Sequence, residues 1–160
     1  MVRLFYRRVV RTHMQGLRWV QLSDRELDDF LGTGGTGVLS FGTDGDDPPF
    51  SIPVSYGYDA GSFYFRLAFP PNSGKESVVD NPVAFVAHRE TDDGWRSAVA
   101  TGRLEDVTDM DYESAAVQAM WAVDIPEVDV FERPPEDVSF RQYRLVPDRL
   151  TGRKEVETEG

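Results

Sequence analysis

The 160 residues carry 17 basic and 28 acidic side chains, a formal net charge of −11 and no cysteine. This length predicts one domain with a real core, and the missing cysteines exclude disulfides and thiolate nucleophiles or metal ligands. The acidic balance argues against nucleic acid as a partner, and no apolar run reaches the length of a membrane span. All but two of the cations are arginine, which we interpret as the surface of a salt-adapted cytoplasmic protein.

The N-terminus differs in charge from the rest of the chain. Residues 1–16 contain four arginines and no acid, so we predict a basic, flexible extension, of which 1–13 lie upstream of a second candidate start at Met14. Arg7-Arg8 is not followed by the apolar region of an export signal. We predict a single domain over 17–150 and a flexible tail over 151–160.

The first predicted element is a short acidic helix in SDRELDDFL, residues 23–31, where Ser23 and Glu26 can form a capping box. Its apolar residues, expected to face the core, are Leu27, Phe30 and Leu31. The following GTGGTG, residues 32–37, has the composition of a nucleotide loop, but it follows a helix, precedes a strand and lacks lysine. We interpret it as a helix end and a flexible turn.

A three-strand meander follows, with strands predicted over 36–43, 50–59 and 62–69. Pro53 stands inside the second strand and has no N–H for a ladder. That strand should therefore be an edge, or bulged, at this point.

The stretch PPNSGKESVVDNP, residues 70–82, predicts a helix from Gly74 to about Asp80 that Asn81-Pro82 ends. Lys75 would lie in its first turn, where a cation opposes the helix dipole unless an anion binds there. An ordinary surface helix is the alternative.

The second half predicts strands over 82–90, 95–107 and 138–148, with a bulge at Gly102 in the second of them. A helix is predicted over about 110–122 and an acidic, proline-rich loop over 124–137. Six strands with helices only in the connections predict a mainly β protein, a small closed or split barrel.

Catalytic groups are scarce. The two histidines are isolated in the sequence, so a metal site is not predicted. No nucleophile elbow is present, and the carboxylates are scattered through turns. Any chemistry is therefore expected to come from a bound cofactor.

These pieces, in their order, resemble the pyridoxamine 5′-phosphate oxidase-like family of FMN-binding split barrels, in particular its short nitroimidazole-reductase-like and general-stress branches. The resemblance covers about 17–150. It rests on GVLSFGTDGDDPPFSIPVSYGYDAGSFYFRLA, SGKESVVDNPVAFVAHRE and WRSAVATGRLEDV together. It implies a six-stranded antiparallel split barrel that forms a homodimer, with FMN in two clefts shared between the protomers.

The resemblance also implies cofactor contacts. The phosphate-binding positions match Ser73 and Lys75. The strand whose backbone lies along the flavin ring matches Pro53, Val54, Ser55 and Tyr56. The strand that reaches the flavin from the partner protomer matches Trp95, Arg96 and Ser97. Arg66 stands where relatives often carry a polar residue beside the phosphate or ring, and a surface cation is its alternative reading.

The sequence departs from that family in two places. The C-terminus, RLVPDRLTGRKEVETEG, lacks the tryptophan of the segment that binds substrate phosphate in authentic pyridoxamine phosphate oxidases, which argues against that activity. Glu76 stands where relatives often carry a second lysine. We predict a flavin-dependent oxidoreductase acting on a small planar acceptor. The alternatives are the same fold with F420 or haem as its cofactor, and a non-enzymatic flavin-binding or stress module.

Overall fold

The computed structural model describes residues 17–68, 75–111 and 140–157, together with residues 114, 115, 118 and 122. Within these residues, nine strands form one antiparallel sheet in the order β1-β9-β6-β5-β2-β3-β4-β8-β7. The strands are β1 Leu17–Gln21, β2 Gly34–Phe41, β3 Phe50–Asp59, β4 Ser62–Leu67, β5 Val83–Thr91, β6 Gly94–Gly102, β7 Leu104–Asp106, β8 Arg141–Leu145 and β9 Arg149–Glu157. The helices whose bounds are described are α1, Asp24–Leu31, and a 3₁₀-helix, Lys75–Asp80.

Two long bent strands close the sheet into a barrel. The first consists of β6 and β7 and the second of β8 and β9. They pair with each other on both sides of their bends. Because β8 also pairs with β4 and β6 also pairs with β5, the strand pairs run in a ring, with β1 added outside β9. Counting each bent strand once, the ring has six strands, which confirms the predicted six-stranded antiparallel split barrel.

The register shifts by one residue where these strands bend. Thr101 pairs with Arg149, whereas Leu104 pairs with Leu145, so the second strand has one extra residue in the bend. Gly102 lies opposite this bulge, and a Cβ there would be 3.0 Å from Leu145 Cδ1. The predicted irregularity at Gly102 is confirmed, and the extra residue belongs to the partner strand.

The barrel interior is filled mainly by aromatic side chains. The ring of Phe85 lies 5.1 Å from that of Tyr56 and 5.2 Å from those of Phe63 and Phe65, centroid to centroid. All four side chains are at most 1% exposed. Contacts of this kind fix the strands against one another from inside the barrel.

Helix α1 covers one end of the barrel, as predicted. Ser23 and Glu26 form the capping box, and the C-terminal Gly32 donates its N–H to Asp28 O. The predicted inward residues are all buried, namely Leu27, Phe30 and Leu31. The helix is also tied to the sheet by the Tyr58 hydroxyl, which donates to Asp28 Oδ1 at 2.6 Å.

The glycine-rich segment differs from the prediction of a flexible turn. Only Gly32 ends the helix, and Gly34–Phe41 form β2. A Cβ at Gly37 would lie 2.5 Å from both Phe85 Cζ and Val86 O, and one at Gly35 would lie 3.3 Å from the Tyr56 ring. These glycines therefore allow a strand to pass close to large core aromatics.

Three further predictions need correction or stay open. The tail expected to be flexible from 151 is part of β9 as far as Glu157, because its backbone pairs with both β6 and β1. The segment before Asn81 is a 3₁₀-helix of six residues, in which Asn81 N–H donates to Val78 O. Residues 1–16, 158–160, the 124–137 loop and most of the 110–122 helix lie outside the described residues, so the division 1–16, 17–150 and 151–160 otherwise stays a prediction.

Candidate functional site

The barrel is split beside β3. Residues 50–57 of this strand pair with β2, but only 57–59 pair with β4. The other edge of residues 50–56 therefore has no strand partner among the described residues. Pro53 lies in this stretch, so the prediction of an edge at the proline is confirmed. Among the described residues, the backbone of this stretch is accessible to a ligand along one side of the split.

The outer face of the sheet carries an apolar row that crosses five strands. Its members are direct cross-strand neighbours: Pro53, Val38, Val86, Val99 and Thr151. The three valines are each 37–42% exposed. Single exposed apolar residues are common on protein surfaces. A contiguous row of exposed valines at the centre of a sheet is instead typical of a surface that another molecule covers.

The positions on either side of the apolar row are small, polar or basic. One flanking row consists of Ser51, Ser40, Ala84, Thr101 and Arg149. The other side carries Ser55, Thr36, His88, Ser97 and Arg153. None of these positions is acidic, although the chain has 28 Asp and Glu residues. This surface is therefore suited to a ligand or partner with apolar and anionic groups.

The Ser55 hydroxyl has an unusual environment beside the split edge. Its oxygen is buried and has no hydrogen-bond partner. An enclosed, unpaired hydroxyl costs about 1–3 kcal/mol. Ser55 can therefore offer a hydrogen bond to a group that binds here.

Trp95 and Ser97 lie on the same outer face at the start of β6. The Trp95 ring is 38% exposed and packs against the His88 ring, with centroids 4.7 Å apart. The backbone N–H of Trp95 donates to Glu155 Oε1 at 3.0 Å. Ser97 pairs with His88 on one side and with Arg153 on the other.

The alternation of strand residues separates the remaining predicted contacts from this face. The Val54 side chain is 8% exposed and belongs to the core. The Tyr56 hydroxyl donates to Leu31 O at 3.0 Å, and burial raises the pKa of Tyr56. Both residues can present only backbone to a ligand at the β3 edge.

Arg96 also points to the opposite face from Trp95 and Ser97. Its guanidinium lies 3.7 Å from Glu26 Oε2 beneath α1. The Lys154 ammonium binds the same carboxylate, and this contact, followed by the backbone N–H of Ser23, lowers the pKa of Glu26 to about 2. The structure therefore places Arg96 among the contacts that hold α1 to the sheet.

Arg66 is exposed on β4, and its guanidinium lies over the Phe140 ring at 5.2 Å from the centroid. Two residues earlier, Tyr64 pairs with Gly57 at the last point where β3 and β4 are joined, so Arg66 is on the strand that borders the split. Lys75 begins the 3₁₀-helix, and Ser73 lies outside the described residues. The phosphate contacts of Ser73 and Lys75 stay predictions.

Sequence reasoning did not assign the exposed valines or Arg153 to the site. The signal for Val86 is present in PVAFVAHRE, since apolar residues occupy both faces of this predicted strand. Arg153 could not be placed because its segment was predicted to be a flexible tail.

The profile of the family described as pyridoxamine 5′-phosphate oxidase matches residues 23–154. This match covers most of the sequence, and the chain belongs to that family. A comparison with the curated proteins gave no significant match.

Solved structures of similar fold carry several descriptions. The FAD-binding protein of Mycobacterium smegmatis is 20% identical, with a TM-score of 0.61 and coverage of 87% of this chain and 99% of that one. A candidate 5-nitroimidazole antibiotic resistance protein of Bacteroides thetaiotaomicron is 16% identical, with a TM-score of 0.62 and coverage of 90% and 93%. An FAD- and haem-binding protein of M. smegmatis is 16% identical, with a TM-score of 0.55 and coverage of 88% and 74%. At these identities the likeness shows a shared fold.

Proposed function

We propose that the protein is a homodimeric, cytoplasmic FMN-binding protein that reduces a small planar acceptor. The observation that carries this proposal is the row of exposed valines, flanked by rows without acidic residues, which meets an open strand edge in a chain of this family. Two proteins of similar fold, described as an FAD-binding protein and a candidate 5-nitroimidazole resistance protein, support it. A cysteine-free chain, which needs no disulfide to fold, fits the proposed location.

The residues at the split fit one side of a flavin. The open edge of 50–56 offers backbone groups to the polar rim of a planar ring. The Ser55 hydroxyl lacks a partner and offers a further hydrogen bond. Arg66 and Lys75 would supply the positive charge that a phosphate requires, and Ser73 would supply a hydroxyl as a hydrogen-bond donor. The electrons for the reduction would come from a donor such as NADH or NADPH by way of bound FMN, and the protein would orient the acceptor and exclude water.

The second protomer completes each site in this proposal. Trp95 and the β3 edge lie on the same sheet, but β2 and β5 separate their strands, which corresponds to three strand spacings, or about 14 Å. These groups therefore border different parts of the outer face. A two-fold axis that covers the valines would bring Trp95 and Ser97 of one protomer toward the β3 edge of its partner.

The first test is the absorption spectrum of the purified protein, reconstituted separately with FMN, F420 and haem. We expect the two visible bands of oxidised flavin at one FMN per chain. Binding of F420 or haem in preference to FMN would overturn the assignment. The haem alternative has a specific basis, because His88 lies on the outer face and could be an axial ligand.

The second test is turnover. We expect NADH or NADPH to be oxidised in the presence of nitroaromatic acceptors and only slowly in their absence. Stoichiometric FMN binding without turnover of any donor and acceptor pair would instead support the non-enzymatic flavin-binding module.

A further inference from the structure

A row of three polar side chains lies beside Trp95, and we call it the polar row: His88, Ser97 and Arg153. Each is a direct cross-strand neighbour of the next, on β5, β6 and β9. Adjacent strands are about 4.8 Å apart, so the row extends over about 10 Å. It presents an imidazole, a hydroxyl and a guanidinium in one line.

All three side chains point away from the barrel. Ala87 and Ala98, which alternate with them, are buried at 0% and 2% exposure. On β9, Gly152 lies against Leu22 and Leu27, and Lys154 binds Glu26. Since successive residues of a strand face opposite sides, Arg153 faces outward with Ser97 and His88.

Arg153 is exposed and makes no ion pair or side-chain hydrogen bond within the described ranges. The nearest acid on its strand is Glu155, on the same face. The Glu155 carboxylate accepts the Trp95 N–H and lies against Gly94, where a Cβ would be 3.1 Å from Oε1. This interaction directs Glu155 along the start of β6 and leaves Arg153 available to an external anion.

Trp95 supplies a flat apolar wall next to the polar row. Its ring contacts His88, and its residue stands two positions before Ser97 on β6. Aromatic rings stack on indole, while a guanidinium fork and a hydroxyl bind the two oxygens of a carboxylate. A flat ring on Trp95 would thus place a carboxylate substituent within reach of Arg153.

We propose that the polar row is an acceptor-recognition site that selects planar aromatic carboxylates, with Arg153 as the specificity-determining residue. This inference rests on the proposed function, because it assigns the substrate class of the same site. It gives a role to Arg153, which the resemblance to flavin-binding relatives left without one.

The test compares two probes that differ in charge, 4-nitrobenzoate and 4-nitrobenzamide. Equilibrium dialysis against the FMN-loaded protein without an electron donor gives both dissociation constants and involves no turnover. We expect the carboxylate to bind at least about fivefold more tightly than the amide. Arg153→Gln should remove this preference by weakening 4-nitrobenzoate about fivefold to twentyfold and leaving 4-nitrobenzamide unchanged.

Arg149→Gln is the matched control. Arg149 is exposed on the same strand and face and also has no described ion-pair partner, but it pairs with Thr101 beyond the apolar row. The Arg149→Gln substitution removes the same charge, and the variant should keep the preference for the carboxylate. Arg153→Lys should retain part of it, because the charge remains while the fork is lost.

Several results would overturn the inference. They are equal binding of the two probes to the wild type, an equal loss of both probes in Arg153→Gln, and the same loss in Arg149→Gln, which would indicate a general field effect. The FMN content of each sample is also measured, which distinguishes these results from a failure of the proposed function. Full FMN loading with no carboxylate preference would refute the role of the polar row and leave the proposed function intact. Absence of FMN binding would refute the proposed function.

Discussion

Val86→Glu tests whether the outer face is the dimer interface. Val86 lies at the centre of the apolar row, between Val38 and Val99, and is 37% exposed in the single chain. In the monomer, a glutamate at such a surface position should change the free energy of unfolding by at most about 0.5 kcal/mol. The folded monomer should therefore survive the substitution.

The effect on association should be much larger. An uncompensated buried charge costs about 3–5 kcal/mol, and a two-fold interface contains the substitution twice. A total of at least about 6 kcal/mol corresponds to a dimer dissociation constant raised about 10⁴-fold. Val86→Glu should thus be monomeric at micromolar concentration.

The assay is size-exclusion chromatography with light scattering, together with thermal unfolding and flavin content. Val146→Glu is the control, because Val146 is 56% exposed in the bend between β8 and β9 and the substitution adds the same negative charge. The control should remain dimeric with full FMN. A Val86→Glu protein that stays dimeric would refute the assignment of this face. A monomer that keeps one FMN per chain would refute the shared site.

Three further outcomes are expected. Lys75→Ala should weaken FMN binding about tenfold to a hundredfold and leave riboflavin binding unchanged, because only FMN carries the phosphate. Equal losses would contradict the phosphate contact. The pKa of Glu26 is lowered to about 2 from 4.5, so its charge stabilises the fold above pH 4.5 and this contribution is lost as the pH falls through about 2. In urea melts, the difference in unfolding free energy between wild type and Glu26→Gln should shrink as the pH falls from 4.5 to about 2. A difference that stays constant would contradict the stabilising role of the Glu26 charge. Gly152→Ala should destabilise the fold by about 1–3 kcal/mol in denaturant melts, because its Cβ would lie 2.6 Å from Leu27 Cδ2 and 2.9 Å from Ser97 O. A loss below about 0.5 kcal/mol would show that the helix moves away freely.

Local signals in the sequence predicted the elements that depend on local chemistry. The capping box of Ser23 and Glu26 defines the start of α1. The spacing of the apolar residues Leu27, Phe30 and Leu31, followed by Gly32, defines its inner face and its end. The turns around 44–49 and 60–61 define β3, whose predicted and observed bounds are the same. Pro53 marks the open edge because a missing N–H has the same consequence in any fold. The 3₁₀-helix differs in type from the prediction, but it ends at Asp80, where Asn81-Pro82 was predicted to end it.

The candidate site was predicted less well because the family resemblance names consecutive residues, whereas a strand turns alternate side chains to opposite faces. Pro53 and Ser55 face outward, while Val54 and Tyr56 are in the core. Arg96 is likewise separated from its neighbours and binds Glu26. Pairing partners are needed to decide which face is outside, and no single sequence contains them.

The C-terminal strand explains why fold and site are linked beyond what local patterns show. Its sequence, RLTGRKEVE, has few of the apolar residues that mark a strand. It forms one because β6 and β1 pair with its backbone on both sides, and because Lys154 on its inner face is matched by Glu26 of α1. The same pairing closes the ring of six strands and brings Arg153 beside Ser97. A segment with the composition of a loose tail thus completes the barrel, and its outward residues decide the charge of the surface next to Trp95.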